Sequence, residues 1–197
     1  MTPLASRFVY PMAALLLFSA SGCFEAHGDE TLTETAGART SMAEHTQGNN
    51  GTRANCEMNE TEQEMLKRVN DARGQARQCG SKQFKAASPL SWNCKLEAAA
   101  AAHGRDMAAH NFFSHIGSGG TRIGDRVKAQ GYRWMAVGEN IAAGQRSVAA
   151  VIDGWLASPG HCANIMSDTF TEMGMIQIDE PSARYSPYWT QVFAKPR

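Results

Sequence analysis

The stretch E-M-G-M-I-Q-I-D-E-P-S-A-R-Y-S-P-Y-W-T-Q-V-F-A, Glu172 to Ala194, decides the fold class. Its ends, Glu172–Asp179 and Tyr188–Ala194, read as strands, and the segment E-P-S-A-R-Y-S-P between them makes a hairpin the natural connection. Upstream the pattern is helical. Asn59 or Thr61 caps a helix with Met65, Leu66, Val69 and Ala72 on one face. Gly80 and the loop around Pro89 break the chain. Asn93 caps a second helix running to about His110, with Leu96, Ala99, Ala100, His103 and Met107 at helical spacing. A third runs from Thr121 to about Gln130 and ends at Gly131. Val148, Val151, Ile152 and Trp155 are the apolar stripe of a fourth, terminated by Ser158-Pro159-Gly160. Helices first and an antiparallel ending predict α+β layers and argue against a parallel doubly wound sheet.

The chain has 197 residues, 43% apolar, and 19 basic side chains against 19 acidic ones. That zero balance argues against a dedicated duplex-DNA binder or a polybasic membrane adaptor, either of which would show a clear basic excess. The apolar run Phe8–Ala20 follows Arg7 and is too short to span a bilayer, so residues 1–22 read as an export signal. It ends A-S-G-C, and these small residues before Cys23 resemble the lipobox of bacterial lipoproteins, with Ala20 where Leu is usual. Lipidation of Cys23 is expected, giving a membrane partner through an N-terminal lipid. Residues 23–55 carry Glu25, Asp29, Glu30, Glu34 and Glu44 against Arg39 and Arg53 and almost no large apolar side chains. They read as a flexible acidic tether in which His27 and His45 are solvated. Residues 56–197 form the globular domain, expected as a monomer that binds no nucleic acid. Cys56, Cys79, Cys94 and Cys162 are an even set with no C-x-x-C spacing, which predicts two disulfides in any of three connectivities.

Three polar groups sit where chemistry is plausible: His115 beyond the second helix, Glu139 interrupting the apolar run V-G-E-N-I-A, and His161 after a helix stop. A carboxylate forced into an apolar run needs partners. Two imidazoles supply them, and the same set suits a divalent metal with open positions. Asn140 and Gln191 are further candidate cleft groups, or braces for the backbone. His103 reads as a helix-face residue, His110 as a cation at a helix C-terminus, and Glu172 as a strand-edge surface acid. The methionines, including Met107, Met135, Met166, Met173 and Met175, read as core filler.

The ordered phrases N-F-F-S-H, G-Y-x-x-x-x-V-G-E-N-I-A-x-G, W-L-A-S-P-G-H-C-A-N-I-M, F-T-E-M-G and Y-W-T-Q-V-F resemble the bacterial branch of the CAP superfamily. That superfamily holds the cysteine-rich secretory proteins, insect venom antigens and plant pathogenesis-related proteins. V-N-D-A-R and L-S-W-N-x-x-L-E-A-A-A are similar too, so the likeness covers roughly residues 62–195. The resemblance implies a three-layer α-β-α sandwich with a central antiparallel sheet and a shallow cleft. In eukaryotic members two His and two Glu line the cleft and can bind zinc or magnesium. His115 matches the first His and Glu139 the first Glu. Tyr188 stands in place of the second His and Ser158 in place of the second Glu, with His161 restoring an imidazole. The resemblance favours Cys79–Cys162, which leaves Cys56–Cys94.

Signal, tether and family likeness together predict an exported cell-envelope protein, with Phe24 after the lipidated cysteine favouring an outer-membrane or cell-surface address. Its expected role is non-catalytic binding of a lipid, glycan or protein through His115, Glu139, Asn140, His161, Tyr188 and Gln191. The alternatives are a metal-dependent hydrolase using Glu139 with His115 and His161, the metal being zinc or magnesium, and a structural or host-directed surface protein with a vestigial cleft.

Overall fold

The computed structural model describes residues 56–197; the leader, Cys23 and the tether lie outside them. The elements run α1 (Glu60–Arg73), β1 (Arg77–Cys79), β2 (Lys82–Phe84), β3 (Ser91–Trp92), α2 (Cys94–Ala109), α3 (Ile123–Ala129), β4 (Trp134–Ala143), α4 (Val148–Ala157), α5 (Pro159–Met166), β5 (Glu172–Ile178) and β6 (Tyr188–Pro196). Asn59 starts α1 through a reciprocal capping box with Glu62. Asn93 starts α2 by accepting from the Lys95 N–H. Gly131 sits at φ +69° just past α3, where a left-handed residue ends a helix at least cost.

The main sheet has the order β3-β5-β6-β4. β5 and β6 form the expected hairpin, and β4 pairs antiparallel with β6 along its whole length. The two-residue β3 instead pairs parallel with β5, so the sheet is mixed at that edge. Side chains of β6 alternate between the faces. Trp189 and Phe193 join Met65, Val69, Val151, Ile152, Trp155 and Ile165 on the α1–α4–α5 side. Val192 and Ala194 join Leu96, Ala99, Ala100 and Val127 on the α2–α3 side. Helices on both faces give the three-layer α+β sandwich.

Three further details differ from the sequence reading. Ser158-Pro159-Gly160 ends α4 and also opens α5, because a proline at the first helical position loses no hydrogen bond that the helix would have made. V-G-E-N-I-A lies within a ten-residue strand, β4. Met135 is 61% exposed and is not core filler, whereas Met107, Met166, Met173 and Met175 are buried.

Two devices fix the layers. Gly174 in β5 faces the backbone of α2 so closely that a Cβ there would lie 2.1 Å from Glu97 N. The buried Arg73 guanidinium donates to the carbonyls of Ser88, Ile165, Ser167 and Phe170 at 2.7–3.3 Å, tying α1 to the segments on either side. Both expected disulfides form, Cys56–Cys94 and Cys79–Cys162, across sequence separations of 38 and 83 residues. Loops of that size contribute about 4 kcal/mol each in the chain-entropy account. Cys79–Cys162 and the contact of Gly80 with Pro159 together dock the β1–β2 hairpin on the start of α5.

Candidate functional site

Glu139 stands in the middle of β4 with its side chain only 3% exposed. One oxygen, Oε1, accepts from His115 Nδ1 at 2.8 Å, and the other, Oε2, accepts from Arg126 Nη2 at 2.6 Å. Arg126, on α3, is itself buried and also donates to the carbonyls of Thr121 and His115. The guanidinium thus holds the carboxylate and the backbone that presents His115. Arg126 was not among the residues singled out from the sequence. Its spacing of three residues from Ile123 put it on the inward side of the helix, and that was the available signal.

Beneath this pair lies His103, fully buried in α2. Its Nε2 donates to the Ser114 carbonyl at 2.8 Å and lies 4.0 Å from Glu139 Oε1. A carbonyl only accepts, so Nε2 carries the proton and Nδ1, which finds no partner among the described residues, is bare in the neutral ring. Burial pushes the His103 pKa below its ordinary value, and Arg126's charge adds to this against the pull of Glu139. The ring's work is to hold Ser114 and so set the register of His115.

The fourth side chain, His161, is on α5. The helix is latched to β4 by amides: Asn164 Nδ2 donates to Glu139 O and Asn140 Oδ1, and Asn140 Nδ2 donates to Gln191 Oε1 and His161 O. His161 is half-buried, and burial first, then the charge of the neighbouring His115, lowers its pKa. The site brings together His115, Glu139 and His161 from the expected set. It does not bring Asn140, Gln191 and Tyr188 to a solvent-facing cleft, because all three are fully buried. Asn140 and Gln191 are braces, and Tyr188 packs edge-on behind Tyr185. Glu172 accepts from Asn93 and from the Tyr132 hydroxyl, well outside this cluster. His110 caps α2 and pairs with Asp106.

The donor set does not fit a divalent metal. Both Glu139 oxygens are engaged, one of them by a guanidinium whose positive charge occupies the place a metal would need. Among the described residues no group of three or more His, Cys, Asp or Glu is gathered to hold a metal ion.

Beside the imidazoles opens a groove of about 430 Å³. Ile141, Val151 and Trp155 form its apolar floor, Phe113 and Tyr185 one rim, and Ser158 and His161 the polar side. The Trp155 indole N–H is already donated to Ile141 O, so what it offers the groove is ring surface. Phe113 and Ile116 are 44% and 45% exposed at the loop leading into it.

The depressed His103 and His161 values carry a pH signature. The unfolded chain takes up these protons first, at about pH 6.5. Their stabilisation is therefore complete above that pH and is lost as pH falls towards the depressed folded values. Urea midpoints measured from neutral to mildly acidic pH are expected to fall. His103→Gln, which keeps a donor for Ser114 O and cannot titrate, is expected to flatten that slope.

The family model of the cysteine-rich secretory proteins, CAP, matches residues 66–193, nearly two thirds of the chain. Among curated proteins, the uncharacterized protein YkwD of Bacillus subtilis is 33% identical over 105 residues, covering 53% of this chain and 39% of that protein. The uncharacterized membrane protein YlbC of the same organism is 30% identical over 106 residues, covering 54% and 29%. The matched region is thus well under half the length of either relative. Among solved structures, an extracellular protein of Bacillus anthracis containing an SCP domain superposes with a TM-score of 0.57 at 27% identity, over 68% of this chain and 40% of that one. An outer surface protein of Borrelia burgdorferi gives 0.52 at 18% identity, over 68% and 94%, a likeness of fold.

Proposed function

The chain belongs to the cysteine-rich secretory protein family, and on that premise we propose that it acts outside the cytoplasm as a non-catalytic binding module for an amphipathic lipid. The observation that carries this reading is the groove: an apolar floor ending at an imidazole, adjoining a carboxylate with no free oxygen. An acyl chain would lie along Ile141, Val151 and Trp155, with its polar head at Ser158 and His161. Two disulfides and similarity to an extracellular protein support export. Anchoring through a lipidated Cys23 and action as a monomer complete the proposal. A hydrolase reading is the weaker one, since Glu139 is committed as the orienting partner of His115 and Arg126 and is not poised as a base.

Gly154 supplies the test. It lines the groove, and a Cβ placed there meets nothing within 4 Å. A leucine at this helical position starts in open space at the groove lining and gains helix propensity. Gly154→Leu is expected to keep or raise the urea midpoint while weakening binding of palmitate at least tenfold, read by Trp fluorescence titration. Equal palmitate affinity in both proteins would remove the groove as the lipid site. Ester turnover abolished by Glu139→Gln would replace the reading with catalysis.

A further inference from the structure

A second surface, at the far end of β4 from the groove, is independent of the lipid-binding reading. Ala143 lines the groove and Trp134 begins the strand, so the two surfaces are separated by about 30 Å at the usual rise per strand residue. Around Trp134 lies a depression of about 340 Å³ walled by Lys128, Tyr132, Arg133, Trp134, Met135 and Arg197. Three of those six side chains are cationic and none is acidic, in a chain whose formal charge is zero. Trp134 and Met135 are 37% and 61% exposed, and they are two of the large apolar side chains that the fold leaves in water.

The patch is preformed. The Trp134 ring lies over α3, where a Cβ on Gly124 would come within 3.0 Å of it. Trp134 is paired with Pro196 across the sheet, and the Arg197 N–H donates to Arg133 O. The adjoining depression shares Tyr132 and Arg133 and adds Lys95, whose Nζ donates to Gly131 O. Its one acid, Glu172, is engaged by Asn93 and the Tyr132 hydroxyl.

We propose that this face, Lys128, Arg133 and Arg197 around exposed Trp134 and Met135, docks the protein on an anionic phospholipid surface. The charge complementarity is one-sided: cations line the depression without an acidic side chain among them, and lipid phosphates supply the missing sign. The apolar pair suits the same partner, because an indole settles at the headgroup level and a flexible thioether enters the acyl boundary. Residues on a rigid sheet end and a helix end need little ordering to engage a flat surface.

Cosedimentation with vesicles tests this. The full chain exported into an oxidising compartment, carrying Cys23→Ser so that no acyl chain contributes, is mixed with vesicles of phosphatidylcholine alone or of equal parts phosphatidylcholine and phosphatidylglycerol. Each cation near an anionic surface strengthens binding roughly fivefold, so a preference of about a hundredfold for the anionic vesicles is expected. It should shrink as added salt shortens the screening length. Lys128→Gln, Arg133→Gln and Arg197→Gln together are expected to abolish the preference. Trp134→Ala with Met135→Ser should lower binding to anionic vesicles about tenfold while leaving some preference. Lys128, Arg133 and Arg197 are exposed, so the urea midpoint of the triple glutamine protein should stay at the parent value, whereas Trp134→Ala removes ring packing on α3 and should lower the midpoint modestly without unfolding the protein. Equal binding to both vesicle types, or an undiminished preference in the triple glutamine protein, overturns the proposal. So does a concentration-dependent dimer lost in Trp134→Ala/Met135→Ser without vesicle binding, which would assign the face to a second copy.

Discussion

Arg126→Met is expected to destabilise the protein by about 3–5 kcal/mol, the usual cost of leaving a buried carboxylate without its cation. Glu139 is 3% exposed and cannot turn to water, and His115 alone reaches only one of its oxygens. The same substitution frees the carbonyls of Thr121 and His115, so the loop that carries His115 loosens as well. Urea unfolding reads the loss. The double variant Arg126→Met/Glu139→Gln should recover a large part of it, because no unpaired charge then remains. A loss below about 1 kcal/mol in the single variant would mean that Glu139 is compensated elsewhere, and Arg126 would cease to be the support of the site.

Gly174→Val should be at least as damaging, costing more than about 3 kcal/mol and leaving little soluble protein. The added Cβ would stand 2.1 Å from Glu97 N and 2.6 Å from Leu96 C, both of them backbone atoms in the first turn of α2. A side chain can rotate away from an intruder, whereas a helix held by the Asn93 cap and the Cys56–Cys94 bond can only move as a body. Such a shift would also pull Leu96, Ala99 and Ala100 off Val192 and Ala194. Measured by yield of oxidised protein and by urea midpoint, Gly174→Ala should already show the effect. A near-native midpoint for it would show that α2 slides over the sheet.

The helices and the hairpin were legible because their signals are local. Asn59 and Asn93 cap in sequence what they cap in space, and the apolar spacing of Val148, Val151, Ile152 and Trp155 is a property of one helix. β4 was obscured because it is paired on one side, half-covered and interrupted by Glu139, so it shows neither clean alternation nor a continuous apolar run. α5 was hidden by a proline that serves as a stop and a start at once. At the site, His115, Glu139 and His161 were found as polar groups out of place. What escaped was the support: Arg126 approaches from α3, His103 from α2 and Asn164 from α5, and only the closed sandwich brings the three to one residue of β4. Tyr188, Asn140 and Gln191 were placed at the cleft from their position in a phrase, and the pleat turns them inward.

The bond between Cys79 and Cys162 has a consequence in time. Cys162 directly follows His161, and its partner anchors the hairpin against the first turn of α5. The helix that walls the groove is therefore fastened by a reaction that a reducing cytosol does not permit. Until that bond closes, the hairpin is held to α5 by its remaining contacts, that of Gly80 with Pro159 among them. Under the proposed function, oxidation of this one pair would act as the maturation step that completes the wall of the groove.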